Sequence, residues 1–436
     1  MALFGWVTVL TLSMLLAAAA PSRSQGASAD TTGQSVSQPG ATQATLDTTV
    51  EAGEADASGP KRKLVKWNEF DGPVSTLRIG YGFLVDFNGF SQDEEAKELK
   101  TATNDVGLRD FRLLFKGRFK TKRPISWTLG YMYDGAADDW RFRMTGFMIG
   151  VPELSGSFFI GRTKEGYSLN KVMVGYDGWT IERYTANDAF IPILADGVKW
   201  LGYAKKPRVF WNLGWYADGI SEDESFSTYD HQTVLRLGWQ PVLSDASRKV
   251  LHLAVMGRDA KPDEGKFQAK SRPEAYLSPF FVDTGKFDTD HMNSYGVEAY
   301  YRSGPWMLGT EYNWHKFDAP TAGDPLFNGG DVSLIWNITG ETRAYNEAQG
   351  FFKAVSPAKS LFQGGPGAWE AVLRFSYIDL DAGNLRGGKF WRITPMVNWH
   401  ASDNLRFDLG YGVGVLEKAD LKGTTQFFQL RIQTLL

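Results

Sequence analysis

From about Val74 to Leu436 the chain alternates apolar and polar residues with a period of two, the signature of strands with one face toward apolar surroundings. In "LRDFRLLFKGRFK" (108–120) Arg109 is followed at every second position by Phe111, Leu113, Phe115, Gly117 and Phe119. The other face carries Asp110, Arg112, Lys116, Arg118 and Lys120. The same split recurs in "RVFWNLGWYAD", "FWRITPMVNWH", "NLRFDLGYGVGVLE" and "QFFQLRIQTLL". Seventeen segments of about ten residues can be marked between 75–86 and 425–435. Ten residues is the length a tilted strand needs to cross a bilayer. An even-stranded barrel holds one fewer, and 343–353 fits the pattern least well, which leaves about sixteen. The pattern predicts an all-β, antiparallel transmembrane barrel with long inward or extracellular loops. Only "SQDEEAKELK" suggests a turn or two of helix.

Soluble sandwiches and propellers also alternate, but they bury the apolar face and spread aromatics along each strand. Here Trp and Tyr gather near strand ends, as in "NWHKF", "WTLGYMY" and "KFWRI", which suits girdles at a membrane interface. The polar face is rich in Arg, Lys, Asp and Asn, the lining expected of a wet lumen. No repeat of fixed period supports a propeller. The closing "QFFQLRIQTLL" resembles the C-terminal strand of bacterial outer-membrane proteins, with Leu436 where Phe is common.

Composition adds an address. Residues 1–26 hold one short apolar run followed by small residues, the shape of an export signal, although no Lys or Arg precedes the run; a membrane anchor with a short span is the rival reading. Residues 27–65 begin with a stretch of Ala, Thr, Ser, Gly and Asp that contains no aromatic residue; they read as a flexible linker ending in a basic tag, and they lack the heptads of a coiled coil. Residues 66–436 read as one barrel domain. Cysteine is absent, so disulfides take no part in its stability. A net charge of −3 excludes an overall basic footprint for nucleic acid.

The candidate chemistry is a row of cations. Arg112, Lys116 and Arg118 share one strand face at spacings of about 7 Å per two residues, and the next strands add Arg141 and Arg143. Rows of this kind in a water-filled channel draw anions in, and weak multiple sites let them leave. Residues 157–197 start as a strand and then leave the pattern for about thirty residues, a length that in compact folds is usually functional. This segment either narrows the lumen, with Arg162, Lys164, Lys171 and Arg183 as cationic candidates, or lies outside in water. No nucleophile motif, metal-binding H-E-x-x-H or phosphate-binding loop is present, so neither an enzyme nor a cofactor is expected.

"KSRPEAYLSPFFVDTG" (270–285), "FFIGRTKEGYSLN", "TIERY", "GAWEAVLRFSYIDLDAGNLRGG" and "FFQLRIQ" together resemble the phosphate-selective porin O and P family of Gram-negative outer membranes. The resemblance implies a sixteen-stranded barrel, usually a homotrimer in outer-membrane lipid. It also implies a narrow lumen lined by Arg and Lys for phosphate, polyphosphate or other small anions. It carries Arg112, Arg162, Lys164 and Arg183 over as lumen cations. The pI near 6.0 and "SEDESF" at 221–226 point toward a general or oligosaccharide-passing porin instead, and a surface binding or adhesion barrel is the reading that involves no channel. Within "KSRPEAYLSPFFVDTG", an Arg272–Glu274 ion pair is the expected brace of the loop.

Overall fold

The computed structural model describes residues 68–219 and 228–436. The expected export signal, the linker up to residue 65 and the acidic run 221–226 lie outside the described residues. Sixteen long antiparallel strands close one sheet, and the three-residue strand Glu69–Asp71 adds to the inner end of the first of them. The first eight are β1 Thr76–Gln92, β2 Asp105–Arg118, β3 Ile125–Asp134, β4 Asp139–Val151, β5 Gly156–Thr163, β6 Ala195–Ala204, β7 Val209–Ala217 and β8 Tyr229–Ser244. The second eight are β9 Lys249–Pro262, β10 His291–Ser303, β11 Trp306–Asp318, β12 Leu326–Asn337, β13 Ala368–Ala382, β14 Leu385–His400, β15 Leu405–Lys418 and β16 Leu421–Leu435. Each pairs with the next, and β16 returns to β1 in a register running from Gly82↔Leu435 to Gln92↔Thr425. Closure leaves no unpaired edge, which a sheet in lipid requires.

Alternation sorts the side chains as the sequence pattern predicts. Leu213, Trp215, Ile393, Tyr411 and Leu430 face outward, whereas Asn212, Arg392, Asn398, Arg406 and Arg431 are buried inside. Stacked pairs Trp306–Trp336 and Trp369–Trp399 mark one aromatic belt, at the end where β11 and β13 begin. Trp140, Trp215 and Trp314 lie toward the opposite end. The described chain enters and leaves the barrel at the first end. By the rule that short turns are periplasmic and long loops extracellular, that end is the inner one. The β1–β2 connection at the outer end carries the short helix α1, Glu94–Leu99, capped by Asp93, whose carboxylate accepts from Ala96 N at 2.8 Å.

Three connections turn inward and fill part of the barrel. The β5–β6 connection, 164–194, carries helices α2 (Leu169–Val172) and α3 (Thr185–Phe190). Residues 263–290 enter from the same outer end, while 338–367 between β12 and β13 enters from the inner end. The last contains a tiny hairpin, Tyr345–Asn346 against Phe351–Phe352, so the alternation at 343–353 belongs to a lumen hairpin and not to the wall. Phe190 of α3, Phe267, Phe281 and Phe287 of the second loop, and Phe317, Phe327, Phe390 and Phe427 of the wall form an apolar core inside the barrel. A cavity remains between the first of these connections and the wall formed by β1–β4 and β16.

Candidate channel constriction

The segment 164–194 stays inside because the wall satisfies its polar groups one by one. A buried backbone carbonyl without a partner costs about 1–3 kcal/mol, and strand side chains supply partners in sequence. Arg431 donates to Ile181 O, Gln433 to Tyr176 O (3.0 Å), Asn398 to Trp179 O (2.9 Å), and Arg374 to Glu182 O (2.8 Å). At the root of the loop, Glu311 of β11 accepts from Asn170 N (2.8 Å), Tyr300 OH (2.9 Å), Tyr184 OH (3.1 Å) and Ser168 Oγ. The loop is therefore part of the rigid interior and not an external flap.

The second loop locks onto the first through Glu274. Its carboxylate pairs with Arg374 of β13 and accepts from Thr185 N (3.2 Å) at the start of α3. Arg392 and Gln429 donate to the carbonyls of Pro273 (2.6 Å) and Glu274 (2.9 Å). Glu274 holds a φ of 61°, a left-handed conformation that non-glycine residues adopt only where surroundings enforce it. The expected Arg272–Glu274 brace does not form. Arg272 donates to Ser278 O (3.0 Å) and lies 4.3 Å over the Phe280 ring, which leaves Glu274 to the wall.

Between the first loop and the wall lies a cavity of about 60 Å³. A water needs roughly 10–15 Å³ by this measure, so a few waters or a small ion fit. Five arginines line it, Arg109, Arg112, Arg143, Arg183 and Arg431, together with four carboxylates, Asp110, Asp134, Glu182 and Asp188. The carboxylates are shared. Asp110 takes Arg112 (2.9 Å) and Arg143 (3.3 Å); Glu182 takes Arg109 (2.8 Å) and Arg431 (2.6 Å); Asp134 takes Arg109 (2.9 Å). Two arginines flanking Glu182 outweigh its burial and hold its carboxyl down at about 2, so it stays ionised. Burial, with Arg143 beside it, lowers Arg183 to about 10, and burial lowers Lys171 of α2 to about 7, with nearby Arg183 acting the same way. Asp110, Asp134 and Glu182, already paired with arginines, offer little to an incoming cation, whereas guanidinium N–H groups can only donate and so favour an anion.

The cations read from the sequence fall into three places. Arg112, Arg143 and Arg183 line the cavity, and Arg112 lies 4.4 Å over the Tyr176 ring of the loop. Arg141 points inward nearby, paired with Asp139 at 2.8 Å. Arg162 forms a two-pronged pair with Asp196 on the neighbouring strand (2.9 and 3.0 Å), and Lys164 donates to Met173 O (3.1 Å); both brace the root of the loop. Lys116 and Arg118 sit at the inner end of β2, Arg118 at the exposed rim.

Two lining arginines escaped the sequence pattern for different reasons. Arg431 was visible on the polar face of β16, but nothing local tied it to residues 250 positions away. Arg109 has the parity of the lipid face. Leu84 pairs with Asp110 and Val85 with Leu108, so Arg109 is the extra residue of a β-bulge, turned inward beside Asp110.

A closed sixteen-stranded barrel with an apolar exterior, aromatic belts and a charged interior narrowed by infolded loops defines a transmembrane channel protein. The chain belongs to the family of phosphate-selective porins O and P, whose model matches residues 77–433, and it is accordingly a porin of the Gram-negative outer membrane. Solved structures with the same fold include the OmpT outer-membrane protein of Vibrio cholerae with its loop L8 deleted (TM-score 0.54, 11% identity, 83% of this chain and 100% of that one). The outer-membrane channel DcaP of Acinetobacter baumannii (0.53, 9%, 84% and 99%) and an anion-selective porin from Comamonas acidovorans (0.51, 13%, 83% and 100%) share it too. An uncharacterised protein of Caulobacter vibrioides is 33% identical over 145 residues, which span 33% of this chain and 29% of that protein.

Proposed function

We propose that this porin passes small anions, phosphate among them, with a modest preference over cations and without covalent chemistry. The observation that carries this is the lining: five arginines against four carboxylates, with every carboxylate but Asp188 held by one or two of them. The lining's excess of one positive charge, offset from behind by buried Asp86 paired with Arg431 (2.6 Å), tilts selectivity only weakly, and weak binding lets solutes leave. The family description and the anion-selective porin of Comamonas acidovorans support the sign of the preference. Export directed by residues 1–26, a linker over 27–65 and assembly as a homotrimer belong to the same reading, the last supported by the trimer form of Vibrio cholerae OmpT. Single channels in a planar bilayer test it. Reversal potentials in a KCl gradient should favour chloride, and phosphate should carry current. A cation preference would overturn the proposal, and the absence of conductance steps would favour a surface binding barrel.

A further inference from the structure

The two mouths of the barrel carry opposite charge. Among the described residues, the outer connections that stay at the rim, between β1–β2, β3–β4, β7–β8, β11–β12, β13–β14 and β15–β16, hold two lysines against eight Asp or Glu. The six short inner turns hold seven Lys or Arg against three Asp or Glu. Most of these groups are exposed. Glu94, Glu95, Glu98, Asp138 and Asp324 face solvent at the outer mouth, and Lys120, Lys122, Arg123, Lys205 and Lys206 at the inner mouth. Some are paired across the surface, as Arg123 is with Glu153 (3.2 Å) and Lys120 with Asp71 just before β1 (2.7 Å); with Glu69 and Asp71 counted, the inner mouth still holds seven cations against five acids. Between the mouths sits the nearly balanced constriction.

We infer that the channel rectifies, conducting better when the outer side is positive than when it is negative. This rests on the porin reading above and concerns the direction of flow. An acidic mouth gathers cations and a basic mouth gathers anions. With the outer side positive, cations advance inward from the mouth that is rich in them, and anions advance outward from theirs. Both carriers then accumulate at the narrow middle. With the outer side negative, each carrier must be supplied through the mouth that repels it, so the middle is depleted and current falls. The effect depends on the reach of the rim charges, about 10 Å at 0.1 M salt, 30 Å at 0.01 M and 3 Å at 1 M.

The test is the current–voltage curve of single channels of the full chain in KCl. The protein has no cysteine, so Thr103→Cys on the outer β1–β2 connection, labelled with biotin, marks orientation when streptavidin is added to one chamber. In 0.02 M KCl the current at 100 mV, outer side positive, should exceed that at −100 mV by roughly 1.5- to 3-fold, and in 1 M KCl the ratio should approach one. The combined variant Lys122→Gln, Arg123→Gln, Lys205→Gln and Lys206→Gln should lower the ratio at low salt while conductance steps persist. Symmetric curves at low salt, a ratio of opposite sign, or a ratio that persists at 1 M would each overturn the inference and leave the porin reading standing. Absence of steps altogether would overturn both.

Discussion

Glu182 is the carboxylate on which the charge of the constriction turns. It is carried by the inward loop and bridges Arg109 on β2 to Arg431 on β16. Replacing it with Gln keeps the shape and some of the hydrogen bonding but removes one negative charge, so the excess of arginines over lining carboxylates rises from one to two. For a solute ion about 8 Å away in water, one unit charge is worth about 0.5 kcal/mol. An anion gains that amount and a cation loses it, so the anion-to-cation permeability ratio should rise roughly fivefold at low salt, and about twofold at 0.1 M, where the Debye length of about 10 Å damps the term. The assay is the reversal potential of Glu182→Gln across a tenfold KCl gradient, compared with the parent channel. A reversal potential that stays put, or that moves toward cation selectivity while conductance is retained, would refute the claim that this cavity lies on the ion path.

Glu274→Gln removes the buried partner of Arg374 where both outer loops meet, and breaking a buried pair of this kind costs about 3–5 kcal/mol; the barrel should unfold at lower temperature by circular dichroism, and its conductance steps should become larger and noisier as the loops loosen. Lys171 is held at about 7 by burial, so it gains charge as pH falls through 7; anion preference should strengthen between pH 8 and pH 6, and Lys171→Met should flatten that response. Its shift also has a stability sign, because between 7 and the ordinary value near 10.5 the unfolded chain binds more protons, and stability rises with pH there.

The wall was legible in the sequence because lipid on one side and water or protein on the other impose a period of two that nothing else interrupts. Segment 125–134 lies where the alternation put it, and 343–353, the weakest of the marked segments, is a lumen hairpin. The interior was less legible. That 164–194 lies inside is decided by wall residues such as Asn398 and Gln433, which meet its carbonyls from more than two hundred positions away. "KSRPEAYLSPFFVDTG" carried the family pattern, yet its main contact, Glu274 with Arg374, spans a hundred residues, and the local Arg–Pro–Glu spacing suggested a different partner. Arg162 and Lys164 look like lumen cations in one dimension, but the residues that occupy them, Asp196 and the Met173 carbonyl, come from the next strand and the loop itself.

The bulge at Arg109 has a consequence for how such a channel can be altered. In a regular strand, deleting one residue turns every later side chain from lipid to lumen or the reverse. Here Val106 and Leu108 face outward before the bulge and Phe111 and Leu113 share the outward parity after it, with Arg109 and Asp110 side by side between them. Deleting Arg109 would therefore leave every neighbour on its own side. A single lost codon can erase one lumen charge, and a single gained codon can create one, while the membrane-facing surface stays as it was.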